Sequence, residues 1–317
     1  SIFAIHSRVF IGLYAGELFR NSPMIMKFLI IACLTVSGVF AAPAMRAQAF
    51  DWKQAHELVE TCSPAQAELL DAVPASPETD YMRALLLLRA GQHEAAAGLF
   101  NRVRAVAPDN IPAQWGLAEI SRQRHAEGAA AALQQLIAVD ESFAPAYISL
   151  AYLYFCRRQF SECGALLETL LRRGRWAMDT GTYVRAHCLY SGAKGMAAYW
   201  GGPVAKMTNG SVVLRHLKIA ESILPNSDAV AFGMGTYYLL LPPLLGRDLD
   251  RAVDLLEKAV AINPLFTDAW VRLAQAYRAK GNEEKFEQLM ARACELDPDN
   301  VLVQDISSGQ CRFICVP

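Results

Sequence analysis

The sequence predicts an all-α solenoid of about six stacked helix hairpins, the architecture of helical-repeat proteins. Three observations predict it. Apolar and small residues recur at spacings of three, four and seven, the signature of one buried helix face. Pro and Gly punctuate the chain at regular intervals, and no alternating apolar strands occur. The 317 residues are 53 % apolar and 19 % charged, which suits a large core and excludes a disordered chain. A formal net charge of −1 gives no electrostatic case for nucleic acid as a partner.

The clearest unit runs from Thr267 to Asn300. Trp270, Leu273, Ala274 and Tyr277 share one face of a first helix; Met290 and Ala293 share one face of a second. Ala274 is small enough to let the two backbones approach. Pro298 cannot continue the second helix, so the chain turns there. The spacing resembles the tetratricopeptide repeat (TPR), whose hairpins cannot bury their apolar faces alone and stack on neighbours.

Taken in order, residues 1–25 read as upstream sequence. Met26-Lys27, the apolar run Phe28 to Ala42 and Ala47-Gln48-Ala49 describe a secretory signal peptide over residues 26–49, cleaved after Ala49. Two readings compete with it. The run is shorter than the roughly 20 apolar residues that span a membrane, and a lipoprotein-type Ile30-Ile31-Ala32-Cys33 leaves almost no apolar region before Cys33. The solenoid then occupies residues 50–300. Asp51 to Glu60 and Gln66 to Val73 form a degenerate starting hairpin. Ala84, Leu87, Gly91, Ala96, Phe100 and Pro108 mark a full unit; Leu117-Ala118 open the next. Tyr147, Leu150, Ala151 and Tyr154, with Cys163, Leu167 and Leu170, mark a third.

Two units are enlarged. From Tyr190 to Val213 the separation is 23 where nine is ordinary, so fourteen residues are inserted at the turn. From Leu239 to Ala252 it is 13, an addition of four. Both additions fall at the same turn of adjacent repeats and should emerge side by side on one edge. Residues 301–317 read as an irregular tail that offers little of a capping helix.

Inner-facing positions of the first helices define a candidate groove for a ligand or partner: Trp115, Glu119, Arg122, Ile148, Tyr152, Phe155, Cys188 and Tyr237. Val184, Gln275 and Arg278 hold equivalent places. Such an aromatic surface binds apolar ligands or peptide segments. The alternative is that tight curvature buries these rings as core, and the sequence leaves both readings open. Trp200, Lys206, Asn209 and Arg247 stand on the edge that the two insertions build. Gly201-Gly202-Pro203 is a turn signal, not a phosphate loop.

No catalytic motif, cofactor motif or metal-ligand spacing occurs among the six histidines. His187 holds a small-residue core position and reads as a packed, hydrogen-bonded histidine. Cleavage at Ala49 leaves seven cysteines; Cys188 and Cys294 replace small buried residues, and pairings are undecidable from spacing.

The stretch Tyr237 to Asp248, with Leu241-Pro242-Pro243-Leu244-Leu245-Gly246-Arg247-Asp248, also resembles the T-component family of tripartite ATP-independent periplasmic (TRAP) transporters. There a proline and a Leu-Gly-Gly-Asp-like turn precede a repeat helix; here Arg247 stands where the second glycine is usual. Two functions are therefore expected. The first is a non-catalytic, cofactor-free scaffold of the bacterial periplasm or envelope that binds a protein or peptide. The runner-up, implied by the resemblance, is a solute-handling transporter accessory that binds a small apolar ligand. Either touches a membrane only through a transporter or a lipid anchor.

Overall fold

The computed structural model describes residues 51–60, 70 and 72–315. The expected signal peptide, the upstream segment and most of Gln66 to Val73 lie outside them. Among the described residues there are fourteen α-helices and no strand. Helix α1 (Trp52–Glu60) precedes six hairpins: α2–α3 (Pro77–Arg89, His93–Val106), α4–α5 (Ile111–Gln123, Ala129–Val139), α6–α7 (Ala144–Cys156, Phe160–Leu171), α8–α9 (Thr180–Trp200, Pro203–Ile223), α10–α11 (Asp228–Leu240, Leu249–Ile262) and α12–α13 (Thr267–Ala279, Glu283–Leu296). A short α14 (Val301–Ser307) follows.

Local chemistry starts these helices. Ser76 and Thr79 form a reciprocal cap before Pro77, and Asn110, Asp179, Asp248, Asn282 and Asn300 each accept a hydrogen bond from a first-turn amide. Four hairpins close with one turn: an amide reaches back five residues to a carbonyl, as from Gln92 to Leu87, Ala126 to Ser121, Gln159 to Tyr154 and Asn282 to Tyr277. The residue before each of these donors has positive φ. It is Gly91 or Gly281 in two hairpins and His125 or Arg158 in the others.

Packing follows the repeat pattern. Leu273 and Ala274 of α12 are buried, and Ala293 of α13 is buried in a cluster with Val271 of α12. Gly116 is obligatory because a Cβ there would lie 2.3 Å from the Phe100 ring. Tyr277 is half-buried and donates its hydroxyl hydrogen to Glu257.

The structure corrects four expectations. The fourteen inserted residues do not form a long turn: α8 and α9 each run 21 residues, and the break is only Gly201-Gly202. Helical winding pairs the backbone groups of the two arms internally except at their ends, which a long loop could not do. Helix α1 does not extend the stack; it lies inside the curve against α2 and α8. Glu60 pairs with Arg185 at 3.0 Å, and Trp52 packs edge-on to Phe143. The tail is not irregular throughout. Asn300 caps α14, and Phe313 and Ile314 are buried against the inner helices beside a Cys311–Cys315 disulfide. Cys294 is exposed, not buried, because it falls on the outer face of α13.

Candidate ligand cavity

The first helix of every hairpin faces inward, and together they wall a central cavity of about 2060 Å³. The curl is tight enough for distant repeats to touch. Tyr152 on α6 donates to Asp268 on α12 at 2.8 Å, and His125 at the α4 turn bonds Asp297 beyond α13 at 2.9 Å. No residue of the outer helices α5, α7 or α11 lines the cavity.

One wall is a hydrogen-bonded network. Arg122 holds Glu119 with two bonds of 2.6 and 2.8 Å. The Ser149 hydroxyl donates to Glu119 and accepts from the Trp115 indole. The Arg122 guanidinium lies 4.7 Å from the Tyr152 ring, and Asp268 accepts a second bond from Asn300. Burial alone would raise the Glu119 carboxyl; the adjacent Arg122 charge and hydrogen bonds from Arg122, Ser149 and Gln123 outweigh it and lower its pKa. Among the described residues no cation pairs with Asp268, and burial raises it despite bonds from Asn300 and Tyr152. Burial also pushes the Cys156 and Cys188 thiols up to about 12, so neither is a ready nucleophile.

The eight residues assigned to the inner surface, Trp115, Glu119, Arg122, Ile148, Tyr152, Phe155, Cys188 and Tyr237, all line this cavity. They do not form an open aromatic groove. Trp115 is 8 % exposed, roofed by His56 of α1 at 5.3 Å between ring centres. Phe155 packs on Phe160 and Phe313. Trp115 is therefore core and Phe155 partly buried, because α1 and residues 311–315 fold into the curve. Val184 and Gln275 are buried, and Arg278 stacks over Phe286. At the mouth, Trp200, Lys206 and Arg247 line the opening, while the Asn209 amide turns back to the Ala205 carbonyl and lies off it. Trp200 is half exposed under the Arg158 guanidinium, and Arg247 donates to the Leu241 carbonyl. Tyr199, Val204, Met207, Leu244 and Leu245 give the two enlarged turns an exposed apolar surface.

Sequence reasoning missed Glu60, Arg185, Asp268 and Arg272, all on the cavity wall. The signal was present: charged residues at the sixth position of a first helix, Arg185 and Arg272, stand where a repeat expects a small or apolar contact.

Two family models described as tetratricopeptide repeat match the chain, one at residues 65–113 and 81–142 and the other at 245–307. Over these residues the chain carries tetratricopeptide repeats. Among solved structures, a monomeric mutant of IFIT1 with Gppp-AAAA is 20 % identical with a TM-score of 0.53, over 81 % of this chain and 59 % of that one. The human IFIT1 dimer with m7Gppp-AAAA is 20 % identical with a TM-score of 0.51, over 82 % and 60 %. The chain thus spans about three fifths of IFIT1, and the likeness is one of fold. No curated protein matches the TPR chain. Among its described residues, no group of three or more His, Cys, Asp or Glu could hold a metal ion, and no helix is long and apolar enough to cross a membrane.

Proposed function

We propose that this TPR protein is an exported, non-catalytic scaffold that takes a peptide segment of a partner into its central cavity, past the apolar mouth. The observation that carries this reading is the cavity's size and lining. Small-molecule sites run from about 300 to 1,000 Å³, and about 2060 Å³ walled by six inner helices is room for a chain segment. On the cavity wall Arg122 is paired with Glu119 and Arg185 with Glu60. The ligands named with IFIT1 are said of that protein, whose likeness to this chain is one of fold, and are not carried over. The signal-like residues 26–49 support a place in the periplasm or envelope.

Site-specific photocrosslinking tests the reading. A photoreactive residue replacing Trp200 or Tyr237 should capture partner protein, whereas one replacing the outward Trp176, 91 % exposed, should not. Equal capture from all three sites, or none, would overturn it. N-terminal sequencing of the exported protein should find Phe50; a lipid-modified Cys33 would move the protein to a membrane anchor.

One observation favours the solute-handling reading: the mouth is built from the two enlarged turns, where such an accessory would enclose an apolar ligand. In that case a small apolar solute, not a protein, would protect the Trp200 position from photolabelling.

A further inference from the structure

Arg272 is a buried arginine, 4 % exposed, with no ion pair among the described residues. An unpaired buried charge is expensive unless its hydrogens are satisfied. Its partners are two backbone carbonyls and one side-chain amide oxygen, while the buried Nε has no hydrogen-bond partner among the described residues. Nη1 donates to Ile314 O at 3.0 Å and to Gln275 Oε1 at 2.7 Å; Nη2 donates to Phe313 O at 2.7 Å. Gln275, wholly buried one turn along α12, adds an Nε2 bond to Ile314 O at 3.2 Å. Two side chains on one helix therefore read two successive carbonyls of a tight turn.

The rest of the segment is read as well. The Phe313 ring sits beside Phe155 and Phe160, with centroids 5.9 and 6.3 Å away. The amides of Arg312 and Phe313 donate to the two oxygens of Asp305, each at 2.8 Å. This is a peptide site: donors for carbonyls, acceptors for amides and a slot for an aromatic ring. Its present occupant fits with strain. Cys311 and Ile314 have φ of 55° and 68°, the left-handed region, which a β-branched residue rarely adopts.

We propose that the inner face of α12, with Phe155 and Phe160, is a docking strip for a peptide bearing an aromatic–aliphatic pair, and that residues 311–315 of this chain hold it as a built-in competitor. The proposal rests on the peptide-binding reading above and adds the partner's chemistry and its regulation. Backbone bonds from Arg272 and Gln275 tolerate many sequences, while the ring slot selects the aromatic. A partner that supplies the same pair without positive φ has the advantage over the resident segment.

The probe is a fluorescent peptide with the sequence of residues 309–315, its internal disulfide formed. In the full chain, Phe313→Ser should loosen the resident segment and raise affinity for the probe at least about tenfold over wild type. Adding Arg272→Met should remove that gain, the loss expected of a binding hot spot. A probe with Ser in place of Phe should not bind. Cys311→Ser with Cys315→Ser provides a second route, since it opens the loop of the resident segment without touching Asp305, Arg272, Gln275 or the ring slot. Wild-type protein needs no mutation: saturating probe should speed hydrogen exchange at the Arg312 and Phe313 amides. A folded Phe313→Ser chain that ignores the probe, or unchanged exchange in wild type, would overturn the proposal. Concentration-dependent dimerisation of Phe313→Ser without probe binding would also overturn it, assigning the strip to the tail of a second copy. If the probe fails while crosslinks from Trp200 persist, only this inference falls; loss of both removes the peptide-binding reading too.

Discussion

Hairpins α12–α13 and α8–α9 are built on one plan and finish differently. Both bury a small residue of the second helix, Ala293 in one and Ala220 in the other, against apolar residues of the first. The former closes at once through Gly281 with φ of 80°. The latter winds on, then turns at Gly201-Gly202 with its apolar tip side chains exposed. At the small-residue position of the first helix, α12 carries Ala274 and α8 carries His187, whose Nδ1 lies 2.8 Å from Nδ1 of His216. The core positions are thus common property of the repeat. What is added beyond them, or polar within them, is where this chain departs from a generic array.

The largest effect should be the one the two hairpins share. Leu273→Ala and Leu217→Ala each remove a buried side chain, and each should cost about 2–5 kcal/mol in urea unfolding. A loss confined to Leu273 would break the comparison, because it would mean that α9 is not part of the same core. Overpacking should be smaller. Ala274→Leu has no room between α12 and α13 and should cost about 1–3 kcal/mol; an unchanged melt would contradict the assigned register.

Acid sharpens the comparison. Burial and the neighbouring His216 lower His187 from 6.5 to about 4. The unfolded chain then binds more protons than the folded one between those values. Stability should fall as pH drops from 6.5 towards 4 and be unaffected above 6.5. Burial lowers His56 to about 4 with the same sign, against the raising charge of Asp179. Melting measured from pH 7 to pH 4 should therefore flatten in part in His187→Gln and further in a double variant with His56→Gln. A slope unchanged in both variants would remove these two histidines from the account.

The turns come next. His125 and Arg158 occupy left-handed positions that Gly91 and Gly281 occupy elsewhere. Arg158→Gly should relieve about 1 kcal/mol of backbone strain while losing the stack on Trp200. A small net gain in melting temperature with a changed Trp200 fluorescence is the expected result; net destabilisation would show that the stack outweighs the strain. Smallest of all, Val204→Ser with Met207→Ser at the exposed tip should shift stability by no more than about 0.5 kcal/mol. A larger loss would mean that the tip is packed and is no docking surface.

The hairpins were legible because their signals are local. Pro298 and the capping residues announce boundaries, and Leu273, Ala274 and Tyr277 announce a face, all within reach of one turn or one hairpin. The cavity was legible only in part. Repeat register places Glu119, Arg122 and Tyr152 on the inner surface, but it is silent on what stands opposite them. Asp268, 116 residues from Tyr152, becomes its partner only through the curl.

By itself, then, the sequence determined the helical periodicity, the hairpin positions, the two places where extra residues enter and a register that puts Glu119, Arg122 and Tyr152 on the cavity wall. These depend on backbone geometry repeated every few residues. Tertiary structure decided that the insertion would be helix and not loop, that α1 and the tail would fill the concave side, and that Trp115 and Phe155 would be covered. Those outcomes depend on superhelical curvature. Small rotations between repeats add up along the array until residues more than a hundred positions apart compete for the same space.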